Sequence, residues 1–267
     1  MTSAIEIFHS SLNNLSYVSG FGNIIEETHR NTPSDLAGQW AMRIVAKMLG
    51  HSRTIGSIAT SGNFDHSAII SCSRLIMECA TTITYLHENV DHDEWAFRQL
   101  ILDLNNITSR IKFIRAFESK SSQNELRSEM QSIISKIKEH PKYTNSSEDA
   151  KKRYTSGQTM FVNGMRNAAR TGMRWNEERF DAIYSYFSTH THTTPMSFVR
   201  MRRHQVDFMN PSDFQYSVAS FAIDVATICV RRSIISVVRR YPEYIDDAWN
   251  FDQFCTQDND EALTKTS

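Results

Sequence analysis

Nine glycines and five prolines are all this chain of 267 residues contains, and every proline stands where a run of helically spaced apolar residues begins or ends. Proline blocks a helix interior and glycine weakens it, so a chain this poor in both sustains long helices. Sandwiches and barrels need turn residues at short intervals, and no alternating strand pattern of useful length occurs. Eleven methionines fit the same picture, and 40% hydrophobic residues suffice for a sizeable core. The expectation is an all-α fold: a multi-helix bundle of about seven to nine helices with no substantial β-sheet.

The segments follow from caps and apolar spacing. A first helix is read from Ser3 to about Glu27, loosened near Gly20 and Gly22. Thr32-Pro33-Ser34-Asp35 supplies caps for a second helix, with Leu36, Trp40, Ile44, Met48 and Leu49 inward. Asp65 caps a third, apolar on most sides through Ile69, Ile70, Cys72, Ile76, Cys79 and Ile83. A fourth runs from Asp93 to about Phe117. Ser122 and Glu125 form a capping-box pattern for a fifth that Pro141 stops. Asn176 caps a helix ended or bent at Thr193-Thr194-Pro195, and Asn210-Pro211 opens a long one to Arg240 that Pro242 closes. Residues 142–158 are polar and read as a long connection or a short exposed helix. The reading is one helical domain over 1–255, with a candidate subdomain break at 142–158 and a disordered acidic tail at 256–267.

The formal net charge of −1 hides an asymmetry. From Lys151 to Arg240 there are fourteen Lys or Arg, twelve of them Arg, against six acids; from Tyr241 onward seven acids face one base, Lys265. Such a division fits a phosphate-binding face beside a shielding tail, or internal pairing. Arg200, Arg202 and Arg203 are the candidate phosphate-binding residues, because the guanidinium fork matches phosphate oxygens, and RNA or a nucleotide is the candidate partner. A homo-oligomer or a protein partner is equally compatible with the chain.

Four cysteines lack C-x-x-C or zinc-site spacing, which suits free thiols in a reducing compartment. The start of the chain has no basic and apolar leader, and the longest apolar stretch, Val218 to Val230, is too short and too charged to span a bilayer. A cytoplasmic protein without membrane contact is expected. His190 and His192 lie two apart, on opposite sides of a helix, so neither a metal site nor a cofactor is expected.

Two constellations carry candidate chemistry. Tyr184, Ser188 and His192 recur at four-residue steps, so in a helix they stack along one face and the hydroxyls can orient the imidazole. Arg74 and Glu78 stand one turn apart, and their face also collects Ser71, Thr81 and Tyr85. A charged pair on a helix this apolar needs partners to offset desolvation. It either fixes helix packing or presents Arg74, oriented by Glu78, to a phosphate. Arg74, Glu78, Tyr184, Ser188 and His192 are therefore the candidate catalytic or binding centre.

The segments Ser73-Arg74-Leu75-Ile76-Met77-Glu78 through Tyr85-Leu86, and Tyr184-x-x-Phe187-Ser188-x-x-x-His192, together resemble an uncharacterised bacterial family of helical proteins classed as a domain of unknown function. It carries an Arg-x-x-x-Glu helix and a Tyr-x-x-apolar-Ser-x-x-x-His motif in this order. The resemblance spans roughly residues 35–240 and implies an all-helical fold without a settled activity. A more distant analogy is to HEPN-type helical ribonucleases of bacterial defence and toxin systems, which place Arg and His at the heart of a bundle. That signature needs four to six residues between Arg and a following His, and the nearest pair here, Arg200 and His204, has three. The expected function is a helical binding or interaction protein, in a bacterial defence or stress setting by analogy, with a phosphate-bearing ligand at its centre. The rival is a metal-independent HEPN-like endoribonuclease using His192 as acid or base.

Overall fold

The computed structural model describes residues 2–29, 35–88, 90–117, 120–192, 194–245 and 251–256. Among them there is no strand, and the helices are α1 (Ala4–His29), α2 (Leu36–Thr60), α3 (His66–His87), α4 (His92–Phe117), α5 (Lys120–Glu139), α6 (Pro141–Thr144), α7 (Glu148–Thr155), α8 (Met165–Met173), α9 (Glu177–Thr191), α10 (Pro195–Arg203), α11 (Asp213–Arg240) and α12 (Phe251–Thr256), with a 3-10 turn at Pro242–Tyr244. The all-α class holds. The expected seven to nine helices is too low, since ten described helices have seven or more residues; short helices such as α7 and α10, which bury at most one residue each, show no clear apolar period. Among the described residues no helix is long and apolar enough to cross a membrane.

Several caps act as the sequence indicates. Asp35 accepts from Gly38 N at 2.7 Å, Asp65 from Ala68 N at 3.0 Å and Asn176 from Glu178 N at 2.9 Å. Thr32, Pro33 and Ser34, the Ser122 side chain and the tail from Gln257 lie outside the described residues. The long helix starts later than Asn210-Pro211 suggests. Asp207 accepts from Met209 N at 2.8 Å and Asn210 N at 3.1 Å, which holds 207–210 in a turn. Ser212 becomes the N-cap, and its N–H donates to Gln215 Oε1 at 3.0 Å.

The chain divides into two compact units, residues 1–85 with 169–267, and residues 86–168. In the first, α1 packs against α11 and α2. α1 runs unbroken through Gly20 and Gly22, with no loosening there. A Cβ on Gly22 would lie 2.9 Å from Leu49 Cδ2 and 3.3 Å from Ile234 Cδ1, so Gly22 sets the close approach of α1 to α2 and α11. Helix α11 is buried along most of its length, and even Arg232 is taken inside, where Nη2 donates to the Gly172 carbonyl at 3.4 Å. Part of the basic excess read from the sequence is thus internal. Helix α3 is buried on most sides, as its apolar positions require: Ile69, Ile70, Ile76, Ala80 and Ile83 are fully enclosed.

In the second unit α4 and α5 pack around Phe97, Ile101, Leu104, Ile107, Leu126, Ile133 and Ile137, closed by Tyr154 of α7. Residues 142–158 carry α6 and α7 inside this unit. Gly157 has φ +67°, and a Cβ there would sit 2.0 Å from Thr108 Oγ1. Glycine is required both for the left-handed backbone and for the contact with α4, which Asn105 secures by donating to the Gly157 carbonyl at 3.1 Å.

Candidate functional site

Helices α3 and α9 of the first unit bring the two sequence constellations together. Arg74 Nη2 donates to Tyr184 Oη at 2.9 Å, and Tyr184 Oη donates to Glu78 Oε1 at 3.3 Å. Arg74 Nε lies 3.1 Å from the same carboxylate oxygen as an ion pair, without the alignment of a hydrogen bond. The guanidinium carbon is 4.7 Å from the Tyr184 ring centroid, and that ring stacks on Phe180 at 5.5 Å. Arginine, glutamate and tyrosine form a closed triangle across two helices. Its side chains are partly sheltered, 14% exposed for Arg74 and 31% for Glu78. Nη1 of Arg74 has no partner among the described residues.

Local sequence explains the placement. On α3, Ser67, Ser71, Arg74 and Glu78 follow a 4-3-4 spacing and line one half-buried stripe beside the enclosed Ile70 and Met77. On α9, Phe180, Ile183 and Phe187 point into the core, and Tyr184 lies at the edge of that face. Thr191 Oγ1 reaches Ser71 Oγ at 3.5 Å, at the limit of a hydrogen bond, so polar contacts continue along the α3–α9 seam.

The remaining predicted residues are placed differently. Ser188 donates to the Tyr184 carbonyl at 2.6 Å, so its hydroxyl serves the helix backbone. His192 lies outside the stack: α9 ends at Thr191, and His192 is its exposed C-cap with extended backbone, φ −108° and ψ 140°. Its ring joins none of the bonds that tie Arg74, Glu78 and Tyr184. Thr81 bonds the Met77 carbonyl at 2.9 Å, and Tyr85 is buried. Of the basic trio on α10, Arg202 and Arg203 are exposed, while half-buried Arg200 lies over the Phe214 ring at 5.3 Å.

Sequence reading missed a second polar cluster. His190 Nδ1 is 3.1 Å from Ser67 Oγ, and its ring meets His66 and Tyr186 edge to face at 5.8 and 4.9 Å. His66 is only 2% exposed, and its Nδ1 has no hydrogen-bond partner. Phe214 stands beside His66 at 6.4 Å and is stacked by His204 at 3.8 Å. Burial, then the neighbouring His66 and Arg200, push His190 down to about 4, against a weaker opposing pull from Asp65. Burial likewise lowers His66 and raises the Tyr186 phenol, the latter opposed by Arg200. The available signal was the position of His190 on the apolar stripe with Ile183 and Phe187.

The second unit has its own cleft of about 360 Å³, lined by Glu94, Phe97, Lys142, Asn145, Tyr154 and Asn163 among others. The Glu94 carboxylate there is bound by Arg98 and Lys142, and no predicted site residue lines it.

A protein-family model described as a family of unknown function (DUF5677) matches residues 39–209, a span that includes both α3 and α9. No curated protein and no solved structure matches the chain.

Proposed function

The chain belongs to this family of unknown function, and on that premise we propose that it is a helical binding protein whose Arg74–Glu78–Tyr184 centre takes a phosphate-bearing ligand, RNA or a nucleotide. The observation that supports this reading is the held but incompletely used guanidinium. Glu78 and Tyr184 fix Arg74 in one orientation, and Nη1 still has donors to offer. An arginine oriented beforehand loses less freedom when it grips a phosphate oxygen. Glu78 also tempers the site: it offsets the Arg74 charge, which favours a ligand that brings further contacts over a bare anion. The hydroxyls of Ser71 and Thr191 along the seam are suited to supply them. Arg202 and Arg203, exposed on α10, are suited to long-range attraction of the same ligand class.

A metal-independent ribonuclease built on His192 receives less support, because acid–base catalysis needs an imidazole within hydrogen-bond reach of the bound phosphate. Exposed at the end of α9, His192 is not held beside Arg74.

Fluorescence anisotropy with labelled single-stranded RNA and labelled nucleotides, titrated across salt, tests the reading. Binding that weakens steadily with salt and drops at least roughly tenfold in Arg74→Ala is expected. Absence of salt-sensitive binding at micromolar protein refutes it.

A further inference from the structure

Among the described residues Arg200 is a half-buried cation without a counter-ion. Its guanidinium rests against the face of Phe214, 5.3 Å from the centroid, and makes no hydrogen bond or ion pair among the described residues. A cation withdrawn from water without an anion is costly unless something else satisfies it. Beside it, three elements contribute polar groups, and a fourth a ring: His66 and Ser67 open α3, Tyr186 and His190 come from α9, His204 follows α10, and Phe214 of α11 is the ring against which His66, His204 and Arg200 gather. Asp65, the acid whose field reaches His190, is engaged in capping α3 through Ala68 N.

We propose that Arg200, His190 and Ser67, backed by His66, form a second anion site that takes a terminal phosphate monoester and a proton together. Ser67 and one nitrogen of His190 already share a hydrogen bond, so the other ring nitrogen is the one left to meet a ligand. His66 Nδ1, buried and unpartnered, is a further donor or acceptor awaiting a partner. A monoester carries close to two negative charges at neutral pH. Arg200 answers one of them. Protonated His190 answers the other, and a dianion beside the ring reverses the penalty that now keeps it neutral, held at about 4 by burial, His66 and Arg200. An internal phosphodiester, with a single charge, gives less drive for proton uptake. A 5′-phosphate terminus is therefore favoured over the interior of a nucleic-acid chain. The site uses different residues from the Arg74 centre and stands or falls separately.

The test follows the histidine ring protons of the full chain by NMR across pH, alone and with inorganic phosphate, adenosine 5′-monophosphate or adenosine. With phosphate or the monophosphate, the His190 midpoint is expected to climb from about 4 toward the ordinary histidine range; with adenosine it stays. Arg200→Ala should abolish the climb and weaken roughly tenfold or more the monophosphate binding read at the His190 ring. Ser67→Ala, which removes one small hydroxyl, should reduce the climb and provides the same test if Arg200→Ala does not fold. A midpoint unmoved by phosphate overturns the proposal, as does a climb that survives Arg200→Ala. A climb lost on Arg74→Ala but not on Arg200→Ala also overturns it, and assigns the ligand to the Arg74 centre instead.

Discussion

The two polar clusters of the first unit both draw on α3 and α9, the second adding Arg200 of α10 and Phe214 of α11, and they treat charge in opposite ways. At Arg74 a cation meets a carboxylate one turn away and a phenol across the seam, so the charge is balanced inside the protein. At Arg200 the cation meets an aromatic face and nearby imidazoles, of which burial keeps His190 neutral. The difference separates two tasks that arginine performs. A balanced arginine holds two helices in register and presents a fixed donor; an unbalanced one stores a demand for an anion. Any ligand of the first must add contacts beyond charge, whereas the proposed second site would discriminate by charge itself.

The largest expected effect falls on the balanced cluster. Arg74→Ala strands Glu78 beside an apolar helix face and should cost about 2 kcal/mol of stability in denaturant unfolding; Arg200→Ala, which removes an uncompensated cation, should change stability by less than about 0.5 kcal/mol. Equal losses for both would erase the contrast.

Acid acts next, and through the other end. His190 is neutral in the fold, with its midpoint near 4 against the usual 6.5, so between those values the unfolded chain binds the proton and the folded one does not. Stability is complete above about pH 6.5 and is lost as pH falls toward 4, by about 1–2 kcal/mol once solvent screening of a half-buried group is allowed for. His66, lowered for the same reason of burial, adds in the same direction. His190→Asn should flatten this part of the pH–stability curve, and an unchanged slope would remove His190 from the account.

Smaller effects refine the triangle. Tyr184→Phe keeps the ring over Arg74 and the stack on Phe180 but deletes both hydroxyl bonds, a loss of roughly 1 kcal/mol. His192→Ala, at an exposed cap, should alter thermal stability hardly at all, within about 0.5 kcal/mol. A large loss on His192→Ala would mean that the exposed ring has a role its position does not suggest.

These contrasts also mark what could be read from sequence. The Arg74–Glu78 pair was legible because four residues make one helical turn, whatever surrounds it. Joining Tyr184 to it is a tertiary contact that spacing alone does not determine, and the geometry supplies it. The row through Ser188 to His192 was only half legible. It assumed a helix through residue 192, but α9 ends one residue earlier, and the last step leaves the face. The two-residue spacing of His190 and His192 argues against a metal but is silent on burial, which originates in the place of His190 on the core stripe with Ile183 and Phe187. Adjacency makes Arg200, Arg202 and Arg203 look alike, though of the three only Arg200 turns onto Phe214. Helix starts followed the same rule: local caps such as Asp35, Asp65 and Asn176 were legible, while the Ser212 cap depended on a turn organised by Asp207.

The binding role proposed for Arg74, beyond holding α3 to α9, depends on its planar fork. Arg74→Lys tests it most directly, because lysine keeps the charge beside Glu78 but loses the planar fork. Thermal unfolding and RNA or nucleotide anisotropy should be measured on the same preparation. The account predicts a melting temperature within a few degrees of the parent, by the small stability change that retaining the charge implies, together with loss of most of the salt-sensitive binding. A variant that binds as the parent does, or one that loses binding only because it unfolds, contradicts it.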